Sequence, residues 1–279
     1  MVARYDLVED PQIKESLLLA RRGTAYFSRQ LAQLTAQDIG GPSLLSGWSR
    51  GHVVAHVGYN ARYLAHLLEE VRRSETEVKA ANHDDAHDID YGATLPDAAL
   101  RNLHAHAAVH LNVEWRDLPD DKWDTSLEQE GQRPLHVADT VWGRAFEVWV
   151  HAVDLNTGAR FEDLPPQLLD RLFRNVMDDW DDRSDEANEQ PQLLLQTTER
   201  ADIYRLTCPA EKLTAVFEKG AMPRRTLTVE GTLAALTRWG LGRGTLDVRS
   251  PAGSVPGVRP RKHDEKNCPF LALASLVKA

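Results

Sequence analysis

The 279-residue sequence is 42% hydrophobic and 27% charged, ordinary proportions for a folded globular chain long enough for two domains. Its net charge is −9, and since the last 29 residues carry five Lys/Arg against two Asp/Glu, the first 250 stand at −12, which argues against nucleic acid as a partner. No run approaches the ~18 apolar residues of a membrane span, the opening MVARYDLVEDPQ has no apolar signal core, and Cys208 and Cys268 make neither a disulfide framework nor a CxxC motif. A cytoplasmic protein without a membrane partner is expected, and any thiol chemistry must use a thiol from outside the chain.

Over residues 13–34 apolar or small residues recur in steps of three and four, which predicts an amphipathic helix. The stretch DIGGPSLLSG, residues 38–47, breaks that pattern, and Ser46 or Ser49 is placed to cap a second helix over roughly residues 49–71. This helix contains His52 in its first turn, His56 one turn later on the same face, and His66. The first two read either as a two-ligand grip or as one ligand beside a core histidine. Residues 69–90 are polar and include His83 and His87 among acidic neighbours, so an exposed, solvated connection is expected. A third helix from Pro96 or Asp97 to about Trp115 carries His104, His106 and His110. The 106/110 pair is a rival metal grip, although Glu114 is the sole acidic partner on its face. Tyr91, Gly92 and Trp123 read as packing residues in flanking connections, and residues 117–134 as a turn-rich link.

The fourth helix, starting near Val137, holds VWGRAFEVWVHAVDL, residues 141–155. Glu147 and His151 lie four apart, so a helix stacks them on one face with Cβ atoms about 5–6 Å apart. Val141, Trp142, Phe146, Val148, Trp149, Val150 and Val153 leave almost no wettable surface, so this helix runs through the middle of a bundle. A carboxylate and an imidazole there need compensation. A divalent metal supplies it; a Glu–His hydrogen bond or an Arg144–Glu147 pair is the plainer alternative. Four helices with polar links predict an antiparallel four-helix bundle over residues 1–160, ending at Asn156, Thr157 and Gly158.

Residues 161–249 predict a small α/β domain. A helix over 167–180 precedes an acidic solvated stretch, 178–189, and strands follow at 193–197, 203–207, 215–218 and 226–229. Thr232 caps a short helix with Leu233, Leu236 and Trp239 inward, and 246–248 are expected as a last strand. Arg243 stands between Gly242 and Gly244, where an exposed guanidinium suits a carboxylate; a surface arginine in a flexible loop fits the sequence equally. Residues 250–279, with four prolines and the basic run RPRKHDEK, are expected as a disordered or loosely docked tail.

The runs ARRGTAYFSRQLAQL, SLLSGWSRGHVVAHVGYNARYL, ALRNLHAH and TVWGRAFEVWVHAVDL closely resemble the mycothiol-dependent maleylpyruvate isomerases, within the DinB-like metal-binding bundle superfamily, in order and spacing over about residues 12–248. The resemblance implies a DinB-like four-helix bundle followed by a smaller sterol-carrier-protein-like α/β domain. It implies a zinc site of His52, Glu147 and His151 with one coordination position open, leaving His56, His104, His106 and His110 to packing or supporting roles, and it maps the family's functional arginine onto Arg243. The reaction it implies is cis–trans isomerisation of maleylpyruvate to fumarylpyruvate, in the breakdown of gentisate. Mycothiol is the thiol cofactor: its thiolate adds to the double bond, rotation follows, and the thiol is expelled. Arg243 would hold a substrate carboxylate or the enolate oxygen. The expected partners are a small-molecule substrate and a low-molecular-weight thiol, with the chain a monomer or weak homodimer. The alternatives are a mycothiol S-transferase acting on another electrophile, a metal-dependent hydrolase, and a non-catalytic metal-binding module. The tail after Ser250 departs from the family pattern.

Overall fold

The computed structural model describes residues 5–74, 78–79, 85–128, 135–181, 192–200, 202–207, 226–251 and 253–258. They fall into two compact units that divide between Ala159 and Arg160.

The first unit is a helical bundle of α1 (Pro11–Ala32), α2 (Arg50–Arg73), α4 (Asp97–Asp117) and α5 (Val137–Asp154). Each start has a local cause. Asp10 accepts from Gln12 N and Ile13 N ahead of Pro11, whose missing N–H would be unpaired there anyway. Ser49 caps α2, Pro96 precedes α4, and His136 and Asp139 form a reciprocal box at the start of α5. Helix α2 packs on both α4 and α5, and α1 packs on α5. Arg101 closes the ring from α4 to α1 by donating to Leu31 O at 2.9 Å and Leu34 O at 2.7 Å.

Helix directions follow from which residues meet. Gly58 faces Leu103, and Arg72 pairs with Glu114, so α2 and α4 run the same way. Trp149 donates to Leu19 O and Thr157 donates to Gln30, so α1 and α5 also run the same way. Arg144 reaches Asn60 while His56 reaches Glu147, so α2 and α5 are antiparallel. The antiparallel arrangement expected of consecutive helices therefore holds for α1–α2 and α4–α5 and gives way at α2–α4.

The reason lies in the connection between α2 and α4, which returns the chain to the end where α2 began. It is not the solvated loop that its polarity suggests. It contains β1 (Val78–Lys79) and α3 (Asp85–Ala93), which packs on α2. Ile89 is buried, and Gly92 lies so close to Ala55 and Tyr59 that a Cβ would meet them at 2.9 and 2.7 Å. His87 lies within α3, and His83 lies outside the described residues. The turn-rich link before α5 likewise contains β2 (Ser126–Glu128) and β3 (Leu135–His136). With β1 these form a small sheet, parallel at β1–β2 and antiparallel at β2–β3.

The second unit places α6 (Pro166–Asp181) and α7 (Leu233–Gly240) with a three-stranded sheet in the order β5 (Ile203–Thr207), β4 (Gln192–Thr197), β6 (Leu227–Gly231), antiparallel at β4–β5 and parallel at β4–β6. Phe173, Leu193, Leu195, Val229, Leu236 and Trp239 are central to its core. The strand expected at 215–218 lies outside the described residues. The strand expected at 246–248 is a turn, with Leu246 exposed and Asp247 at φ 63°; ladder pairing is limited to a single bridge, Glu230 with Arg249. Part of the expected tail belongs to the fold. Val258 is buried in this core, and Trp239 Nε1 donates to Pro256 O at 2.7 Å. Among the described residues no helix is long and apolar enough to cross a membrane.

Helices α1 and α5 approach closely at Gly23, where a Cβ would meet Val148 Cγ2 at 2.5 Å and Trp149 Cδ1 at 2.6 Å. Trp149 cannot swing aside cheaply, because its indole N–H is bonded to Leu19 O and its ring stacks on Tyr26 at 4.9 Å. Gly23→Ala should therefore destabilise the protein by about 1–2 kcal/mol despite alanine's better helix propensity. Denaturant unfolding of the two proteins checks this, and equal or higher stability of the variant would refute the packing argument.

Candidate metal centre

The segment from Gly143 to Asp154 in α5 is buried at every position, including Arg144, Glu147, His151 and Asp154. One turn apart on the same face, His151 Nε2 lies 3.1 Å from Glu147 Oε2. From α2, His56 Nε2 reaches the same oxygen at 2.8 Å, and its ring meets that of His151 edge-on at 4.9 Å. The ligand atoms of His56, Glu147 and His151 all lie within 4.8 Å of one another. Behind His151, Asp154 Oδ2 is 2.9 Å from Nδ1, which fixes the ring so that Nε2 faces Glu147.

The electrostatics match a cation-binding carboxylate. Burial pushes the Glu147 carboxyl up, but the charges of His56 and His151 and the hydrogen bonds from both outweigh it and hold the group well below the usual carboxylate range. For His151 burial acts downward, yet Glu147 and Asp154 raise it to about 9. Glu147 Oε1 is buried without any hydrogen-bond partner. A carboxylate oxygen left this way is costly unless something cationic occupies its free side. Two imidazole nitrogens and a carboxylate are a donor set that suits zinc, so the residues present fit a divalent metal.

The sequence-derived candidates are distributed as follows. Glu147 and His151 meet. His52 is held instead at the start of α2: Ser49 N–H donates to His52 Nδ1 at 3.1 Å, while His52 N–H donates to Ser49 Oγ at 3.3 Å. Its Nε2 lies 3.5 Å from Asp90 Oδ1, and the Trp48 ring neighbours both α2 histidines, 6.1 Å from the His52 ring and 5.5 Å from that of His56. His104 bonds Ser28 Oγ at 2.8 Å, His106 is exposed, and His110 turns to Glu69. Arg243, in the second unit, donates from Nη1 to Leu241 O at 2.7 Å, and both flanking glycines have positive φ, 75° at Gly242 and 95° at Gly244. Asp154 escaped the sequence reading, although its signal, His-x-x-Asp at helical spacing, was present. Arg144 is not simply the i,i+3 partner of Glu147: Nη1 donates across to α2, to Val57 O at 2.9 Å and Asn60 Oδ1 at 2.6 Å.

Residues 20–156 match the family model described as the mycothiol maleylpyruvate isomerase N-terminal domain. Two solved structures are similar over nearly the whole chain: crystal structures of the mycothiol-dependent maleylpyruvate isomerase and of its H52A mutant. Each is 34% identical with a TM-score of 0.75, and the match covers 89% of this chain and 96% of that one. No curated protein matches the chain.

Burial, with the Arg144 charge as a second cause, lowers His104 to about 4 from an ordinary value of 6.5. The unfolded chain therefore takes up this proton first as the pH falls. Stability from a neutral His104 is intact above about pH 6.5, is lost between there and about pH 4, and amounts to at most about 3 kcal/mol. His104→Gln, which keeps a partner for Ser28 and does not titrate, should flatten that part of the profile. Unfolding free energies between pH 7.5 and 4.5 measure it, and parallel profiles for the two proteins would refute the assignment.

Proposed function

The chain belongs to the mycothiol-dependent maleylpyruvate isomerase family, and from that premise we propose that it converts maleylpyruvate to fumarylpyruvate with mycothiol as thiol cofactor and one zinc ion in the bundle. The observation that carries the metal part of this reading is the buried Glu147, flanked by two imidazoles through Oε2 and left without a partner at Oε1. The chemistry that zinc and mycothiol supply when bound is a thiolate at neutral pH, whose reversible addition to the conjugated double bond permits rotation about it.

The rest of the work falls to the chain. Glu147 and His151 offer two ligands from one helical face, and His52 is proposed as the third, from the first turn of α2. With a metal bound, Asp154 would keep the remaining proton of His151 on Nδ1 and leave Nε2 to ligate. Val148, Val150 and Val153, all buried on α5, help to keep bulk water from the centre, which strengthens each charge interaction there. Arg243 is proposed to receive a carboxylate of the substrate through its guanidinium fork. Neither Cys208 nor Cys268 is needed as a nucleophile.

A second assignment of the third ligand is favoured by one contact: His56, not His52, lies at 2.8 Å from Glu147 in this structure. Metal content and turnover of His52→Ala and His56→Ala separate the two. On the proposed set, His52→Ala loses zinc and at least 100-fold in activity, while His56→Ala keeps zinc. The reverse pattern would move the ligand to His56 and leave the reaction unchanged.

Conversion of maleylpyruvate by the zinc-loaded protein should require both zinc and added mycothiol. Absence of conversion with zinc still bound would shift the function to S-transfer on another electrophile or to hydrolysis. Arg243→Ala should abolish turnover with zinc retained, and full activity would remove Arg243 from the mechanism.

A further inference from the structure

A second group of ligand-type side chains stands on the face shared by α2 and α4, built from residues that the proposed reaction does not use. The parallel run of these two helices brings His66, Glu69 and Arg72 of α2 beside His110 and Glu114 of α4. His110 Nε2 lies 2.9 Å from Glu69 Oε1 and 3.9 Å from Glu114 Oε1, and all three ligand atoms lie within 4.8 Å of one another. Glu114 is buried, while Glu69 and His110 are half-buried.

Arg72 Nη1 is 3.1 Å from Glu114 Oε2 and holds that outer oxygen, while Arg73 Nη2 lies 3.7 Å from Glu69 Oε2 at the solvent side. Both Oε1 atoms are turned to one imidazole nitrogen. That nitrogen, as N–H, can donate one good hydrogen bond, and Glu69 receives it. The approach of Glu114 Oε1 is convergence beyond what one proton satisfies. A divalent cation, unlike a proton, can be shared by all three donors. His66 stands at the edge, with Nδ1 3.5 Å from Glu69 Oε2 and its ring edge-on to His110 at 5.5 Å, in reach of a fourth position.

We propose that Glu69, His110 and Glu114 form a second divalent transition-metal site on the bundle, separate from the centre at Glu147 and bracing α2 against α4. One imidazole and two carboxylates favour zinc over magnesium or calcium, which prefer all-oxygen shells. Glu pairs with His at three- and four-residue spacing on facing helices are the arrangement by which helical bundles hold metals in general. The site does not rest on the proposed isomerase function, since none of its residues belongs to that machinery.

The test is the zinc stoichiometry of the full chain after chelator treatment, measured by calorimetric titration with Zn²⁺ at pH 7.5. One equivalent bound by the parent should be lost in His110→Ala and likewise in Glu69→Gln, with isomerase turnover unchanged in both, and should persist in Glu147→Gln. Far-UV circular dichroism of the two variants confirms folding, and the isosteric Glu69→Gln serves if His110→Ala does not fold. Zinc stoichiometry in both substituted chains equal to that of the parent would overturn the site, whatever the outcome at Glu147.

Discussion

Complete burial of the last two thirds of α5 is the constraint on which the rest of the molecule depends. Four ionisable side chains, Arg144, Glu147, His151 and Asp154, lie within a run that has no exposed position. An uncompensated ion in such a place costs several kcal/mol, more than a marginally stable protein can spare many times over. The neighbours of α5 are arranged to compensate them. Helix α2 offers Val57 O and Asn60 Oδ1 to Arg144 and His56 to Glu147, while Asp154 secures His151 from its own helix. The compensation is incomplete at a few atoms: Glu147 Oε1, and Nε and Nη2 of Arg144. A core built only for stability would not be expected to retain them, which supports the proposed role of this part of the helix.

Helix direction distributes these groups. Because α2 lies between α5 and α4, antiparallel to one and parallel to the other, it serves different partners along its length: His56 and Asn60 face α5, whereas Glu69 and Arg72 face α4. Close approach makes this possible. Gly58 admits Leu103, whose Cγ lies 2.7 Å from where a Cβ would be, and Gly23 does the same for α5 against α1. The small residues thus set the helix spacing at which side chains from facing helices can share a single ligand point.

Much of this was legible in the sequence, and the failures have physical causes. The four long helices follow from apolar periodicity and caps, and Glu147 with His151 follows from a spacing of four inside a wholly apolar segment. Helix α3 was not legible because, among the described residues, its docking is carried by Ile89 and the close-packed Gly92, a weak signal beside a run of Asp and His. The parallel run of α2 and α4 was hidden for the same reason, since a connection read as solvated loop gives no hint that it spans the bundle. The charge of Glu147 does act on Arg144, as spacing within one helix suggests, but spacing is silent about the facing helix, where the hydrogen bonds of Arg144 go. Beyond Glu230 the sequence overstated regularity: Leu246 and Val248 alternate like a strand, yet Asp247 sits between them at positive φ and turns the chain.

If His52 is the third ligand, as proposed, a single proton links the metal centre to a helix cap. In this structure His52 Nδ1 accepts the backbone N–H of Ser49, so its own proton resides on Nε2 and the nitrogen facing Asp90 has no lone pair to give. Ligation through Nε2 requires that proton on Nδ1 instead, where Ser49 N–H no longer has an acceptor but Ser49 Oγ, 2.7 Å away, can become one. The loss is one half of a capping box, about 1 kcal/mol, whereas zinc held by protein ligands at neutral pH contributes on the order of 10 kcal/mol. On the proposed ligand set, the cap by itself would therefore not keep His52 from a metal held by Glu147 and His151. What the cap can do is to set the ring's resting orientation, so that the entry of α2 is tied by one serine to the tautomer of the histidine beside it.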